Sequence, residues 1–304
     1  MISNSREDRF RGCLLGLAVG DAVGTTVEFE ERGTFPLVTD MVGGGPFNLN
    51  PGEWTDDTSM ALCLATSLLE RKSFDARDQM DRYVSWWEDG YLSSNGECFD
   101  IGNTVRESLR SYKKTGIPMS GSKNPLSSGN GAIMRLAPIP MFFSNDLDSV
   151  IYYSGESSRT THGSAECIDA ARFFGLVLAR ALNGASKDEV ISMCKPDLIS
   201  SNSILEISNG NYLDKSENEI IGSGYVVKSL EGALWCYIKT DSYEEAVLKA
   251  VNLGDDTDTT AAICGQIAGA YYGETNIPTN WLDNLFMVND IRRISDQLMS
   301  VKDK

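Results

Sequence analysis

The chain is organised around the segment Val251-Asn-Leu-Gly-Asp-Asp-Thr-Asp-Thr-Thr-Ala-Ala-Ile-Cys-Gly-Gln-Ile-Ala-Gly-Ala-Tyr-Tyr-Gly273. It opens with carboxylates and hydroxyls and continues as a helix-forming run of small residues. Far upstream, the same arrangement occurs in Trp54-Thr-Asp-Asp-Thr-Ser-Met60, ahead of an apolar run that ends at Leu69. Asp, Thr and Ser are preferred at helix N-termini, so each cluster predicts the start of a helix.

The two clusters together provide hard oxygen donors for a metal site: Thr55, Asp56, Asp57, Asp256, Asp258 and Thr259. Ligation by oxygen alone is typical of Mg²⁺, Mn²⁺ or Ca²⁺, and not of Zn²⁺ or copper. Aspartates that converge in one pocket repel each other, and two metals sharing bridging carboxylates would neutralise them. The alternative is that these residues only cap helices, where the macrodipole favours a carboxylate by about 0.3–1 kcal/mol. Spacing along the chain leaves both interpretations open.

Composition narrows the class of protein. The chain has 304 residues, 41% of them hydrophobic, and a mean hydropathy of -0.21, which indicates a globular protein. A net charge of -16 argues against nucleic acid as a direct ligand, because phosphate binding needs a basic surface. The seven cysteines, at positions 13, 63, 98, 167, 194, 236 and 264, have no CxxC spacing, which fits a reducing cytoplasm. The N-terminus lacks a signal-peptide core, and no uninterrupted apolar run approaches the roughly 20 residues that span a bilayer.

Apolar residues at helical spacing predict an all-α fold in one domain over residues 1–304, and no strand alternation is evident. In the first helix, Gly12, Gly16 and Gly20 would let a second helix pack closely. Residues 195–223 have the most loop-like composition. The predicted helices cover residues 7–23, 55–72, 75–89, 103–113, 165–182, 225–239, 243–253 and 290–301, together with the run after Asp258.

Other catalytic classes lack their motifs. There is no GxxxxGK[ST] phosphate loop and no GxGxxG after a strand. A catalytic triad would need the sole histidine, His162, and no GxSxG elbow accompanies it. His162 is predicted at a loop-to-helix junction, where both a structural and a functional role remain open.

With these residues in place, the sequence resembles the ADP-ribosylglycohydrolase family, and specifically its bacterial dinitrogenase-reductase-activating branch. The resemblance runs nearly end to end and implies an all-α orthogonal helix bundle with a central binuclear Mg²⁺ or Mn²⁺ centre. The motifs that carry it are Gly20-Asp-Ala-Val-Gly24 with Glu28 beyond it, Trp54-Thr-Asp-Asp-Thr58, Cys98-Phe-Asp-Ile-Gly102, Gly129-Asn-Gly-Ala-Ile-Met-Arg135, Thr161-His-Gly163, Gly224-Tyr225 and Gly254-Asp-Asp-Thr-Asp-Thr259.

The resemblance also implies roles for individual residues. The six oxygen donors named above would be the metal ligands. Asp255 would either support these ligands or cap the helix that follows it. The substrate would be an ADP-ribose group on a protein side chain, with backbone N–H groups of the Gly129–Gly131 loop binding its diphosphate. The substrate-binding residues implied are Ser127, Ser128, Gly129, Asn130, Gly131, His162 and Tyr225.

Two carboxylates match catalytic positions. Asp100 would be the acid/base group that breaks the N-glycosidic bond to arginine, and its alternative role is a cap on the helix that begins near Gly102. Glu28 matches the glutamate that activates water in branches that release ADP-ribose from serine. Together these features predict a metal-dependent protein-ADP-ribosylarginine hydrolase.

Two alternatives to this function stay open. One is hydrolysis of a different ADP-ribosyl linkage, to serine, a nucleic-acid base or a small ester. The other is an immunity protein that neutralises an ADP-ribosyltransferase by binding it as well as by hydrolysis. The expected partners are therefore an ADP-ribosylated protein, such as a toxin target, and under the second alternative the transferase itself. Neither nucleic acid nor membrane is an expected partner.

Overall fold

The fold is α-helical, as the spacing of apolar residues predicted. The computed structural model describes residues 4–192 and 198–301, and within those ranges it contains α-helices, short 3-10 turns and isolated bridges but no β-strand. The helices are α1 (Arg6–Gly24), α2 (Asp56–Arg71), α3 (Ala76–Asp89), α4 (Asn103–Thr115), α5 (Pro138–Phe142), α6 (Leu147–Thr161), α7 (Ala165–Leu182), α8 (Lys187–Val190), α9 (Asn202–Ser208), α10 (Val226–Ile238), α11 (Tyr243–Val251), α12 (Thr257–Tyr272), α13 (Thr279–Asn284) and α14 (Val288–Met299).

Helices α1 and α12 form the central pair and run antiparallel with their backbones in contact. Gly12 of α1 faces Gly269 of α12, and Gly16 faces Gly265 one turn further along. A Cβ atom at any of these four positions would overlap a carbonyl oxygen of the opposite helix. The close packing that the small residues predicted is therefore present.

This pairing brings the end of α1 against the start of α12. Gly24 packs directly on the backbone of Asp258, which leaves no room for a side chain between the two helices. Asp21 lies almost one turn before Gly24 and is fully buried. The start of α2 meets the same point, so three helix ends converge where the acidic residues lie.

The remaining helices surround the central pair. Helices α2, α7, α10, α11 and α14 pack on α1 or α12, while α3, α4 and α6 pack beyond them. Their apolar side chains form one continuous buried cluster. The segment Arg6–Val27 is long and apolar enough to cross a membrane, yet 89% of its most apolar window is buried inside the fold, as in a core helix.

Helix α6 was not predicted from the sequence. Its buried face consists mostly of small and hydroxyl residues such as Ser154, Ser157 and Thr160, so hydrophobic periodicity did not reveal it. His162 therefore lies in the short connection just before α7, as expected, but a helix and not a loop precedes that connection.

The segment 195–223 is less loop-like than its composition suggested. Its described part, residues 198–223, contains α9 and the 3-10 turn Glu217–Glu219, whereas residues 195–197 lie outside the described ranges. Cys194 also lies outside them. The other six cysteines are free thiols, in agreement with the expectation of no disulfide framework.

Candidate metal centre and substrate cleft

Asp21 holds the first turn of α2 from the neighbouring helix α1. Its Oδ1 accepts the backbone N–H of Thr55 at 2.9 Å, and its Oδ2 accepts that of Thr58 at 3.0 Å. The hydroxyls of both threonines also donate to it, at 2.9 and 2.6 Å. Thr55 occupies the N-cap position without a side-chain capping bond. Because Asp21 does the capping, Asp56 and Asp57 are free of that role, and capping alone does not explain the first cluster.

Sequence reasoning missed this role of Asp21. The signal was present in the Gly20-Asp-Ala-Val-Gly24 motif, but nothing in the local sequence connects Asp21 with a helix start more than thirty residues away.

Three buried carboxylates meet around one hydroxyl. Thr55 Oγ1 lies 2.9 Å from Asp21 and 3.2 Å from each of Asp57 and Asp258, yet a hydroxyl has only one proton to donate. Oxygens of the three carboxylates lie within 4.8 Å of one another. Asp57 Oδ1 has no hydrogen-bond partner among the described residues, which is costly for a buried charge. This set of hard donors fits a divalent cation, which would supply the missing positive charge.

Glu28, Asp100 and Asp258 form a second group whose carboxylate oxygens also lie within 4.8 Å of one another. Asp258 belongs to both groups and joins them. Asp100 is half-buried and has a φ of 55°, in the left-handed region that residues other than glycine rarely adopt. Asp100 does not cap helix α4, the alternative role considered for it, because the N-cap position of α4 is Gly102. The two candidate catalytic carboxylates therefore lie side by side.

Burial and mutual repulsion raise the pKa values of these carboxyl groups. Burial, followed by the charge of Asp100, raises the pKa of Glu28 to about 10. Burial, followed by the charge of Asp256, raises the pKa of Asp100 to about 7. Burial raises the pKa of Asp21 to about 6, against the hydrogen bonds from α2 that lower it. The same two causes, burial and then neighbouring carboxylates, hold the pKa well above its ordinary value in Asp56, Asp57 and Asp258.

A cleft of about 420 Å³ opens over the two groups, and Asp56, Asp256 and Thr259 line it. Asn130 donates through Nδ2 to Asp256 at 2.8 Å, and the Thr259 hydroxyl lies 3.5 Å from Asp57. Asp256 occupies the N-cap position of α12 without a side-chain capping bond, so capping does not explain the second cluster either. All six oxygen donors that the sequence singled out are thus brought to one place.

The Gly129–Gly131 loop lines the cleft but offers fewer free donors than expected. The N–H of Gly129 donates to the Ser127 carbonyl at 2.9 Å, and that of Asn130 donates to the Gly224 carbonyl at 3.1 Å. Of the three amides, only that of Gly131 has no acceptor among the described residues.

Three further residues predicted to bind substrate do not line this cleft. The buried Ser128 hydroxyl donates to the Pro125 carbonyl at 2.8 Å and lies 2.9 Å from the Ser164 hydroxyl, so it supports the loop from behind. Ser127 lies beside it. The Tyr225 ring is partly exposed, and its hydroxyl donates to Glu166 at 2.6 Å.

His162 lines the cleft and is buried. Its Nδ1 lies 2.9 Å from the hydroxyl of Thr161. Burial, followed by the charge of Arg135, lowers the pKa of His162 to about 3, so the ring is neutral at neutral pH.

Asp255 acts through its backbone and not as a cap. Its side chain is exposed, and its φ is 60°. Its carbonyl accepts the N–H of Phe29 at 2.7 Å, and its own N–H donates to the Glu30 carbonyl at 2.8 Å. These two bonds fix the segment that follows Glu28 against the start of α12.

Comparison with known proteins gives the family of the chain. The family model described as ADP-ribosylglycohydrolase matches residues 2–304. The chain is 45% identical to the "ADP-ribosylarginine hydrolase Tri1" of Serratia proteamaculans, over 96% of this chain and 79% of the relative. It is 30% identical to the "ADP-ribosyl-[dinitrogen reductase] glycohydrolase" of Rhodospirillum rubrum, over 99% of both chains.

A solved structure described as "ADP-ribosylglycohydrolase-related protein complex" has the same fold. It superposes with a TM-score of 0.87 at 40% identity, over 97% of this chain and 98% of that one. The resemblance inferred from the motifs is confirmed: the chain belongs to the ADP-ribosylglycohydrolase family.

Proposed function

We propose that this protein is a metal-dependent hydrolase that removes ADP-ribose from modified arginine side chains of proteins. The observation that carries the proposal is that Asp258 joins two groups of carboxylates under one cleft, and that one group contains both Glu28 and Asp100. The Serratia relative, 45% identical, is named for arginine-linked ADP-ribose. An acidic cleft also suits the reaction, because glycosidic cleavage develops positive charge on the ribose.

We assign the six oxygen donors to two divalent cations, Mg²⁺ or Mn²⁺. Two observations support this assignment: Asp57 Oδ1 has no hydrogen-bond partner among the residues that the structure describes, and three carboxylates crowd around Thr55 Oγ1. When bound, such ions would bind the ribose hydroxyls and a water molecule, lowering the pKa of that water. Asp21 and Asn130 would keep the ligands in place, the first by holding the start of α2 and the second by donating to Asp256.

We assign proton transfer to Asp100. In this proposal its carboxyl group gives a proton to the leaving guanidine nitrogen as the bond to the anomeric carbon breaks, and then takes one from the attacking water. General acid–base groups of this kind contribute about 10²–10⁴-fold to a rate. Glu28, buried beside Asp100, helps to hold that proton at the site through its own carboxyl group.

Release of ADP-ribose tests the proposal directly. The protein is incubated with arginine-ADP-ribosylated and serine-ADP-ribosylated proteins in parallel, each with Mn²⁺, with Mg²⁺ and with chelator. We expect free ADP-ribose from the arginine linkage in the presence of an ion and not in chelator. Preferential release from serine would instead indicate the serine-linked activity, in which Glu28 activates the water. No release with either ion would contradict the proposed function.

The proposed partner is an ADP-ribosylated protein in a reducing compartment such as the cytoplasm. The free thiols of the six described cysteines support that compartment.

Neutralising a transferase by binding is a separate role, and a variant without hydrolytic activity tests it. If the Asp100→Ala variant protects cells against an ADP-ribosylating toxin without hydrolysing the modification, binding is sufficient. If protection disappears together with hydrolysis, the enzyme activity accounts for it.

A further inference from the structure

We propose that Arg135 and Thr161 are positioning residues that hold the ring of His162 as a neutral Nε2–H donor beside the Gly129–Gly131 loop. The identity of the ligand, the diphosphate of ADP-ribose, rests on the proposed function. The arrangement of the three side chains does not.

Arg135 is completely buried under the cleft, and its guanidinium group donates two hydrogen bonds to residues near the cleft. One guanidinium nitrogen donates to the Gly131 carbonyl at 2.5 Å, and another donates to Thr161 Oγ1 at 2.6 Å. The guanidinium carbon lies 4.8 Å from the centre of the Tyr83 ring, in cation–π geometry. One cation therefore holds both the glycine loop and the residue next to His162.

The direction of these bonds decides the histidine tautomer. A guanidinium can only donate, so Thr161 Oγ1 is an acceptor toward Arg135. Its own proton then goes to His162 Nδ1, 2.9 Å away, which is the other partner of this hydroxyl among the described residues. Nδ1 is consequently unprotonated, and the ring carries its proton on Nε2.

The position of the ring places that proton beside the loop. A Cβ atom at Gly131 would lie 2.8 Å from His162 Cε1, and one at Gly129 would lie 3.3 Å from Nε2. The two glycines thus let the loop pack on the Nε2 edge of the ring. The N–H of Gly131, which has no acceptor in the described ranges, lies in the same part of the cleft, so the site presents two neutral donors of the kind that bind phosphate oxygens.

The sole histidine makes a direct test possible. Protein labelled with ¹⁵N-histidine, without substrate or metal, gives a two-bond ¹H–¹⁵N correlation spectrum that distinguishes the tautomers at one residue. We expect the Nε2–H form in the unmodified protein and in Thr161→Ser, which keeps the hydroxyl. In Thr161→Val the Nδ1 atom loses its donor, and we expect a mixture of tautomers.

Binding of ADP-ribose supplies the second measurement. Loss of one oriented hydrogen bond corresponds to about tenfold weaker binding, so we expect Thr161→Val to raise the Kd by about tenfold and Thr161→Ser to restore it. Arg135→Lys, which cannot serve both acceptors in the same geometry, should change the spectrum in the same way. Thermal unfolding identifies any variant that has not folded.

Two results would overturn the inference. One is an Nδ1–H or charged ring in the unmodified protein. The other is a folded Thr161→Val protein with an unchanged spectrum and an unchanged Kd, which would leave Thr161 with a merely structural role. Because the spectrum is recorded without substrate, it tests the histidine tautomer even if the protein does not hydrolyse ADP-ribosylarginine. Absence of ADP-ribose binding in the unmodified protein would count against the proposed function alone.

Discussion

At the scale of single residues, Asp21 shows how a cap supplied from another helix frees carboxylates for a different task. Its two oxygens accept the backbone N–H groups of Thr55 and Thr58 at the start of α2, so no carboxylate of α2 itself is needed as a cap. Asp57 Oδ1 has no hydrogen-bond partner in the described part of the chain. The local cost of burying that oxygen is consistent with a site that is completed by a cation.

Replacing Asp21 by Ala should therefore affect both stability and ion binding. In saturating Mn²⁺ we expect the free energy of unfolding to fall by about 2 kcal/mol or more, because buried N–H groups lose their acceptor. We also expect a smaller rise of the melting temperature on adding Mn²⁺. The matched control is Asp146→Ala, which removes an exposed cap of α6 that accepts from Asp148 and Ser149. That variant should lose about 1 kcal/mol and keep the full Mn²⁺ effect.

Replacing Asp100 by Asn should separate catalysis from ion binding. We expect the rate of ADP-ribose release to fall by about 10²–10⁴-fold, the contribution of a general acid–base group, while the melting temperature still rises with Mn²⁺. Asp255→Asn, at an exposed position just before the N-cap of α12, should leave the rate unchanged. Equal rates for the Asp100 and Asp255 variants would remove Asp100 from the mechanism.

At the scale of elements, the antiparallel contact of α1 and α12 determines where the site forms. Glycines at four-residue spacing on both helices remove the side chains that would hold the two backbones apart. The contact continues to Gly24, and this sets Asp21 and Asp258 against each other at one end of the pair. The N-terminus of α12 also carries positive partial charge, which favours carboxylates there.

A single methyl group should disturb this contact. In Gly265→Ala the added Cβ would overlap the Gly16 carbonyl oxygen, and overpacking of this kind costs about 1–3 kcal/mol. Because the helices must move apart, we also expect weaker Mn²⁺ stabilisation. Gly232→Ala is the matched control within α10, since its Cβ would meet Leu253 Cδ1 at 3.3 Å and the Ile221 carbonyl at 3.4 Å. Chemical denaturation with and without Mn²⁺ measures both variants.

At the scale of the whole molecule, a net charge of -16 coexists with a buried group of carboxylates near the central helix pair. Most of these carboxylates are buried, so salt screens their mutual repulsion less than it screens repulsion between exposed acids. The stability of the folded chain should consequently depend on pH and on divalent ions together.

In chelator, we expect the melting temperature to fall as the pH rises from about 5 to 8. The folded-state pKa values of Asp21, about 6, and Asp100, about 7, lie above those of ordinary carboxyls. The folded protein therefore binds more protons than the unfolded chain in this window, and loses stability as they dissociate. Mn²⁺ should reduce the slope because it replaces the lost protons. An apo protein whose melting temperature rises over the same range would refute this account.

Much of the fold could be predicted from local patterns. Helix α7 was predicted at its observed bounds, and α1, α2 and α3 within one residue at each end, because their apolar residues recur at helical spacing. Helix α6 could not be predicted in this way, because serine and threonine on its buried face look like a surface or loop. The short helices α8, α9 and α13 offer too few turns for periodicity to emerge.

The amino-acid sequence by itself determined the helical class, the family and the set of hard oxygen donors, because helix periodicity and acidic motifs are properties of neighbouring residues. Only the tertiary structure decided which helix ends meet. It made Asp258 common to both carboxylate groups, gave the capping of α2 to Asp21, and used two of the three loop amides internally. The meeting of Asp21 with Asp258 depends on the backbone contact between α1 and α12, which joins residues far apart in the chain and so has no local signature.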